Sequence, residues 1–305
     1  MVRRLATIVS VVVVMELWLT LPVSATVYGP PAACAPGVHV GCLPWVMADA
    51  WAGHHASVEV LHFHPSGPPG VLATAAWIRS SSTDLALYPG YEGPGATRLP
   101  RGPEMVPSSA DSRLLATFNS GFYESDLEGG FYTHSTLYFP MRRGLATVLR
   151  YRDGGVGLVA WSGGPRPPST VVMARQNLPL LVNAGRANPL VANNYTWGLT
   201  LYGAPAVWRS ALGIDAHGNL IYAAAPSQTA ASMASVMVQL HCVRAMELDI
   251  NPEWPILVTY GGRGALSPVL QVPNPNQIPG RFLYPSTKDF FAVFVSSHPG
   301  EAQPW

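Results

Sequence analysis

From residue 57 onward, apolar and polar residues alternate in short runs. Val58, Val60, His62 and His64 share one parity, while Glu59, Leu61 and Phe63 take the other, which is the two-residue period of a strand. Similar runs occupy 71–78, 85–88, 114–118, 136–139, 145–152 and 156–159, separated by Pro- and Gly-rich turns. Asp153-Gly154-Gly155 predicts a hairpin between the last two runs. Ala216-His217-Gly218 predicts another between 211–215 and 219–223. One segment, 229–239, carries a helical period: Met233, Val236, Met237 and Leu240 fall at i, i+3, i+4 and i+7, behind Thr229 as N-cap. It leads through Leu240-His241-Cys242 into an apolar run over 243–250. There is no internal repeat. Many short strands with few helices predict an α+β fold of strand-rich mixed sheets, as a single main domain over 57–295.

The ends read differently. Arg3 and Arg4, the mostly apolar run 5–19 and Val23-Ser24-Ala25 form the pattern of a cleavable export signal over 1–25. Glu16 and the shortness of the run argue against a permanent span, which needs about 20 apolar residues. The expected location is secreted or cell-surface, with membrane contact only through that signal. Residues 26–56 form a Pro/Gly-rich N-terminal segment and 296–305 a tail. Cys34 and Cys42 flank a turn-rich loop where a short disulfide is plausible in an oxidising compartment, whereas Cys242 reads as a buried thiol.

Composition narrows the function classes. A chain of 305 residues that is 48% hydrophobic and 11% charged can build a large core and is not disordered. A net charge of +1 gives no case for nucleic acid or an anionic membrane as partner. Among the basic residues Lys288 is the sole lysine.

Candidate chemistry concentrates at the end of the 243–250 run. On a strand, Glu247 and Asp249 would project together with Cα atoms about 6.5 Å apart, just before Asn251-Pro252 opens a loop. Two carboxylates at a strand mouth suit acid/base work on a sugar or ester; a structural pair meeting an arginine or loop amides is the other reading. His62 and His64 share a face near His54 and His55, a possible metal pair without a matching carboxylate. No zinc spacing and no cofactor motif occurs, and a divalent cation is the one such partner left open.

Four segments then occur in a telling order: Asn119-Ser120-Gly121-Phe122-Tyr123; Arg142-Arg143-Gly144-Leu145 with its Asp-Gly turn; Arg209-Ser210-Ala211-Leu212-Gly213; and Glu247-Leu248-Asp249 after the helix. Their order resembles the phosphodiester glycosidase family over roughly 57–295. The resemblance implies a hydrolase acting on a sugar-1-phosphodiester, from a glycan or cell-envelope polymer. It implies Asp249 as the catalytic carboxylate; Glu247, the extra acid two residues before it, reads as a partner acid, and His134, in the loop after the Asn119 segment, as a further candidate acid or ligand. Arg209 would hold phosphate oxygens, since a guanidinium matches them bidentately. Asn119, Gly121, Phe122 and Asn251 would contribute to substrate binding. The sequence departs from the family where Ile250-Asn251-Pro252 replaces a glycine run with serine, which leaves open a non-catalytic glycan- or envelope-binding protein on the same scaffold.

Overall fold

The computed structural model describes residues 29–30, 45–48, 57–65, 69–261 and 266–296. The export signal, Cys34, Cys42, His54 and His55 lie outside the described residues.

Strands are numbered in chain order. The largest sheet has the spatial order β1 (Val46–Met47), β2 (Val58–Phe63), β3 (Ala73–Ile78), β14 (Leu220–Gln228), β13 (Val207–Ile214), β15 (Arg244–Ile250), β11 (Val182–Asn183) and β12 (Arg186–Ala187). A second runs β7 (Thr136–Phe139), β6 (Phe131–Thr133), β10 (Val171–Gln176), β8 (Ala146–Tyr151) and β9 (Val156–Ala160). A third runs β17 (Ser267–Leu270), β16 (Leu257–Gly261), β5 (Leu114–Asn119), β18 (Phe290–Val295) and β4 (Thr83–Tyr88). The α-helices among the described residues are α1 (Glu124–Leu127) and α2 (Ala230–Gln239). The fold is therefore mostly β. The sheets are not mixed as expected: every described pairing is antiparallel, both in the hairpins such as β2–β3, β8–β9 and β13–β14 and between strands distant in the chain such as β3–β14 and β5–β18.

Side-chain alternation builds the layers. In β3, Ala76 and Ile78 enter a core shared by all three sheets, together with Val148 and Leu158 of the second and Phe118 and Phe291 of the third. The intervening Ala75 and Trp77 enter a core on the opposite face, beneath α2. Each fully buried Leu, Val or Phe contributes roughly 1.5–3 kcal/mol. The helix starts where the sequence places it: the Thr229 hydroxyl accepts from Ser232 N at 3.1 Å, and Thr229 N donates to Ser232 Oγ at 3.0 Å. It packs on β13 and β14. Gly213 permits that approach, since a Cβ there would come within 2.5 Å of Cys242 Sγ. Cys242 is buried and unbridged.

Candidate functional site

Three strand ends meet. Phe290, at the start of β18, pairs with Asn119, at the end of β5, so Lys288-Asp289 and Ser120-Gly121 leave the sheet side by side. Asp249 N donates to Ser120 O at 2.9 Å, which ties the end of β15 to the same place.

The end of β15 is not a regular strand. Glu247 lies opposite Ala211, but Ile250 lies opposite Arg209, with a register shift between. Leu248 and Asp249 together therefore oppose Ser210, which is a β-bulge. The bulge corrects the expectation that Glu247 and Asp249 project together: it takes Asp249 out of the two-residue alternation, and each acid meets a different cation. A buried relay fixes the bulge. Tyr222 OH donates to Asn119 Oδ1 at 2.9 Å, Asn119 Nδ2 to Ser210 Oγ at 2.9 Å, and the Ser210 hydroxyl to Asp249 O at 2.7 Å. Asn119 Oδ1 also accepts from Ile256 N, and Nδ2 also donates to Ser120 O. The Asn119 side chain is thus a bracket between sheets, with its donors and acceptor already engaged.

Asp249 Oδ2 lies 2.7 Å from Lys288 Nζ, as an ion pair rather than an aligned hydrogen bond. Asp249 Oδ1 accepts from Ile250 N at 2.9 Å. The ammonium sits 3.6 Å from the centroid of the Tyr123 ring and 5.1 Å from that of Trp254, a cation–π setting. Burial pushes the Asp249 carboxyl up to about 6, against the Lys288 charge and the Ile250 amide, with Asp289 adding to the rise. Around this pair, Ser120 Oγ and Asp289 Oδ1 are buried and have no hydrogen-bond partner among the described residues. Asp289 Oδ2 is paired with Arg175 Nε at 2.9 Å, with both side chains buried. Arg175 Nη2 donates to Phe122 O at 2.6 Å, and a Cβ on Gly121 would stand 3.3 Å from that guanidinium. Gly121 and the Phe122 backbone therefore form the floor over Arg175, while the Phe122 ring is buried in the core beneath α2.

Glu247 and Arg209 form a second, fully buried ion pair. Arg209 Nε donates to Gln228 O, Nη1 also to Trp197 O, and Nη2 to Asn194 Oδ1. With these partners the guanidinium holds the segment 194–197 over Glu247 and is turned away from solvent. Burial pushes the Glu247 carboxyl up to about 7, opposed by the charge and hydrogen bond of Arg209 and reinforced by Asp249. Its Oε2 has no partner among the described residues. Asn251, at φ 71°, pins the same cover: Oδ1 accepts from Leu201 N at 3.1 Å and Nδ2 donates to Leu199 O at 3.2 Å.

His134 is not brought to this cluster. It is exposed on the turn between β6 and β7, beside Thr133 Oγ1 and the Tyr88 ring. Arg142 is likewise exposed and pairs with Glu128 at 2.5 Å. His62 Nδ1 lies 3.2 Å from Thr74 Oγ1 and His64 Nδ1 lies 2.8 Å from Val71 O. Among the described residues no group of three or more His, Cys, Asp or Glu could hold a metal.

Lys288, Asp289, Tyr123, Trp254, Arg175 and Arg281 complete the cluster; Tyr123 closes the Asn119 segment but was given no role there, and no motif announced the others. One signal was available: the chain's single lysine, followed by Asp289, leads into the all-apolar strand Phe290–Val295.

No family model and no curated protein sequence matches the chain. Solved structures do. The zebrafish N-acetylglucosamine-1-phosphodiester alpha-N-acetylglucosaminidase catalytic domain, auto-inhibited by its pro-peptide, is similar with a TM-score of 0.51 at 16% identity, over 87% of this chain and 92% of that one. A hypothetical protein from Synechocystis gives a TM-score of 0.46 at 14% identity, over 79% of this chain and 62% of that one. Among the described residues no helix is long and apolar enough to cross a membrane. What the first likeness shows is a fold shared with the catalytic domain of a glycosidase.

Proposed function

We propose that this chain is an exported hydrolase that cleaves a sugar-1-phosphodiester of a glycan or cell-envelope polymer, with Asp249 as its reacting carboxylate. The observation that carries the reading is the Asp249–Lys288 pair beneath Tyr123 and Trp254, beside buried Ser120 and Asp289 oxygens that lack partners. Aromatic faces with a few convergent polar groups suit a ring that carries hydroxyls. The fold shared with the zebrafish glycosidase domain and the leader-like residues 1–25 support the same reading.

The chemistry follows from the leaving group. Water oxygen bonds to the anomeric carbon and its proton passes to the Asp249 carboxylate. The bond from that carbon to the phosphate oxygen breaks, and its electron pair leaves on the phosphomonoester. A phosphate departs with its charge and needs no proton, so one carboxylate suffices where most glycosidases use a pair. That suits a site in which Glu247 is held by Arg209 and supports the strand rather than the substrate. Ionised, Asp249 would also stabilise the positive charge developing on the ring.

The test is turnover of a panel of sugar-1-phosphodiesters by the purified chain, with Asp249→Asn as comparison. Release of reducing sugar, lost by about a hundredfold or more in the variant, is expected. Turnover that survives Asp249→Asn would sink the assignment. Saturable glycan binding without turnover on any diester would favour the binding-protein reading, for which the bulky Ile250 after Asp249 is the motive.

A further inference from the structure

The buried charges of the site are matched pair by pair. Glu247 faces Arg209, Asp249 faces Lys288, and Asp289 faces Arg175. A fourth cation is left over. Arg281 Cζ lies 5.5 Å from the centroid of the Trp254 ring, the ring that also flanks Lys288 Nζ at 5.1 Å. Arg281 Nη1 is steadied by Glu253 O at 3.1 Å and by Gln277 Oε1. Among the described residues it forms no ion pair, and its Nε and Nη2 carry no hydrogen bond. The guanidinium is half-buried and within electrostatic reach of the site: burial lowers its pKa, while Asp249 and Tyr123 each raise it. Two rim acids, Glu92 and Glu253, are exposed, so water and salt weaken their charges more than those of the buried pairs, although Glu92 still acts on Tyr123.

We propose that Arg281, assisted by Lys288, is the anion-holding element of this site, and that the surplus of one positive charge selects a ligand group carrying one negative charge. This rests on the reading of the Asp249 cluster as the active site. A phosphodiester carries a single charge at neutral pH, whereas a phosphomonoester, whose second pKa is about 6, carries nearly two. The diester neutralises Arg281. The monoester leaves a net negative charge beside the buried carboxylates of Asp249 and Asp289, which is unfavourable. The same arithmetic favours release of the phosphomonoester once the sugar–phosphate bond has broken. Arg209, which the motif order pointed to as the phosphate holder, spends its donors on Glu247, Gln228, Trp197 and Asn194. The selectivity is thus placed on residues more than 70 positions away from it in the chain.

The experiment is a titration of the purified full chain with dimethyl phosphate and with methyl phosphate at pH 7.5, followed by phosphorus NMR line width. Dimethyl phosphate is expected to bind, and methyl phosphate to bind about tenfold more weakly despite its larger charge. Arg281→Met should weaken dimethyl phosphate about tenfold or more, Arg281→Lys should stay within about threefold of wild type, and Arg166→Met, on an exposed loop, should match wild type. Equal affinity in wild type and Arg281→Met, tighter methyl phosphate than dimethyl phosphate, or no binding of either would overturn the proposal. If Arg281→Met does not fold, the comparison of Arg281→Lys with Arg281→Gln decides instead. Dimethyl phosphate binding without turnover of any sugar diester would overturn the glycosidase reading and leave the anion site standing. Turnover that ignores Arg281→Met would do the reverse.

Discussion

Lys288 Nζ stands 2.7 Å from Asp249 Oδ2, although Asp249 belongs to β15 of the largest sheet and Lys288 lies in the segment before β18 of the third, and neither side chain is more than 8% exposed. Breaking a buried pair by removing one partner leaves an uncompensated charge and costs about 3–5 kcal/mol. Lys288→Met is expected to lose stability of that order in urea unfolding at pH 7, and to raise the Asp249 pKa further by deleting its main stabilising charge. A loss below about 1 kcal/mol would mean that the pair is screened by solvent.

The pH dependence of stability has a definite sign. Unfolded, Glu247 and Asp249 lose their protons near pH 4; folded, burial holds those protons up to about 7 and about 6. A group whose folded pKa is raised stabilises fully below its unfolded pKa and loses that contribution as pH rises through the folded value. Between pH of about 4 and 7 these two carboxyls therefore make the fold less stable as pH increases. Urea unfolding across that window should show a flatter dependence in Glu247→Gln than in wild type. Identical slopes would contradict the assignment.

The Arg209–Glu247 pair separates structural from chemical roles. Arg209→Met or Glu247→Gln alone strands a buried partner and should cost about 3–5 kcal/mol. The double variant Arg209→Met/Glu247→Leu replaces the pair with apolar volume and should recover most of that loss. If Glu247 supports the strand, the double variant retains turnover to within about tenfold. A loss of three orders of magnitude in a well-folded double variant would return Glu247 to the chemistry.

Lys288 is also held from a distance. Tyr91 N donates to Ser286 O at 2.9 Å and Gly93 N to Thr287 O at 2.8 Å, so the turn 90–93 grips the segment that carries the lysine. A Cβ on Gly90 would collide with the backbone of Thr287 and Lys288. Gly90→Ala must displace that segment, and misplacement of a reacting group by about 1 Å can cost on the order of a hundredfold in rate. The expected outcome is a fall in kcat of that order in protein that still unfolds cooperatively; unchanged kcat would show that Lys288 is positioned by Asp249 alone.

The alternation of Val58 and Val60 and the helical spacing from Met233 to Leu240 behind Thr229 were readable because strand and helix periods are local. The hairpins at Asp153-Gly154 and His217-Gly218 were readable for the same reason. The bulge at Leu248-Asp249 was not, since nothing in an alternating run marks where an extra residue will be inserted. Asp249 could be singled out as a carboxylate at a strand end, but its partner lies 39 positions on, and only the pairing of β5 with β18 brings Lys288 there. Arg209 has the residue type for phosphate, yet cross-strand neighbours decide what a guanidinium meets, and here they supply Glu247. Likewise, Asn119 lies in a readable motif, but its hydrogen bonds to Tyr222, Ser210 and Ile256 join elements far apart in the chain.

A chain with one lysine carries its own reporter. Amine-acylating reagents can modify only Lys288 and the α-amino terminus, and Lys288 is 5% exposed and engaged with Asp249. The rate at which Lys288 becomes acylated therefore measures how often the Asp249–Lys288 pair opens to solvent, without any label having to be introduced.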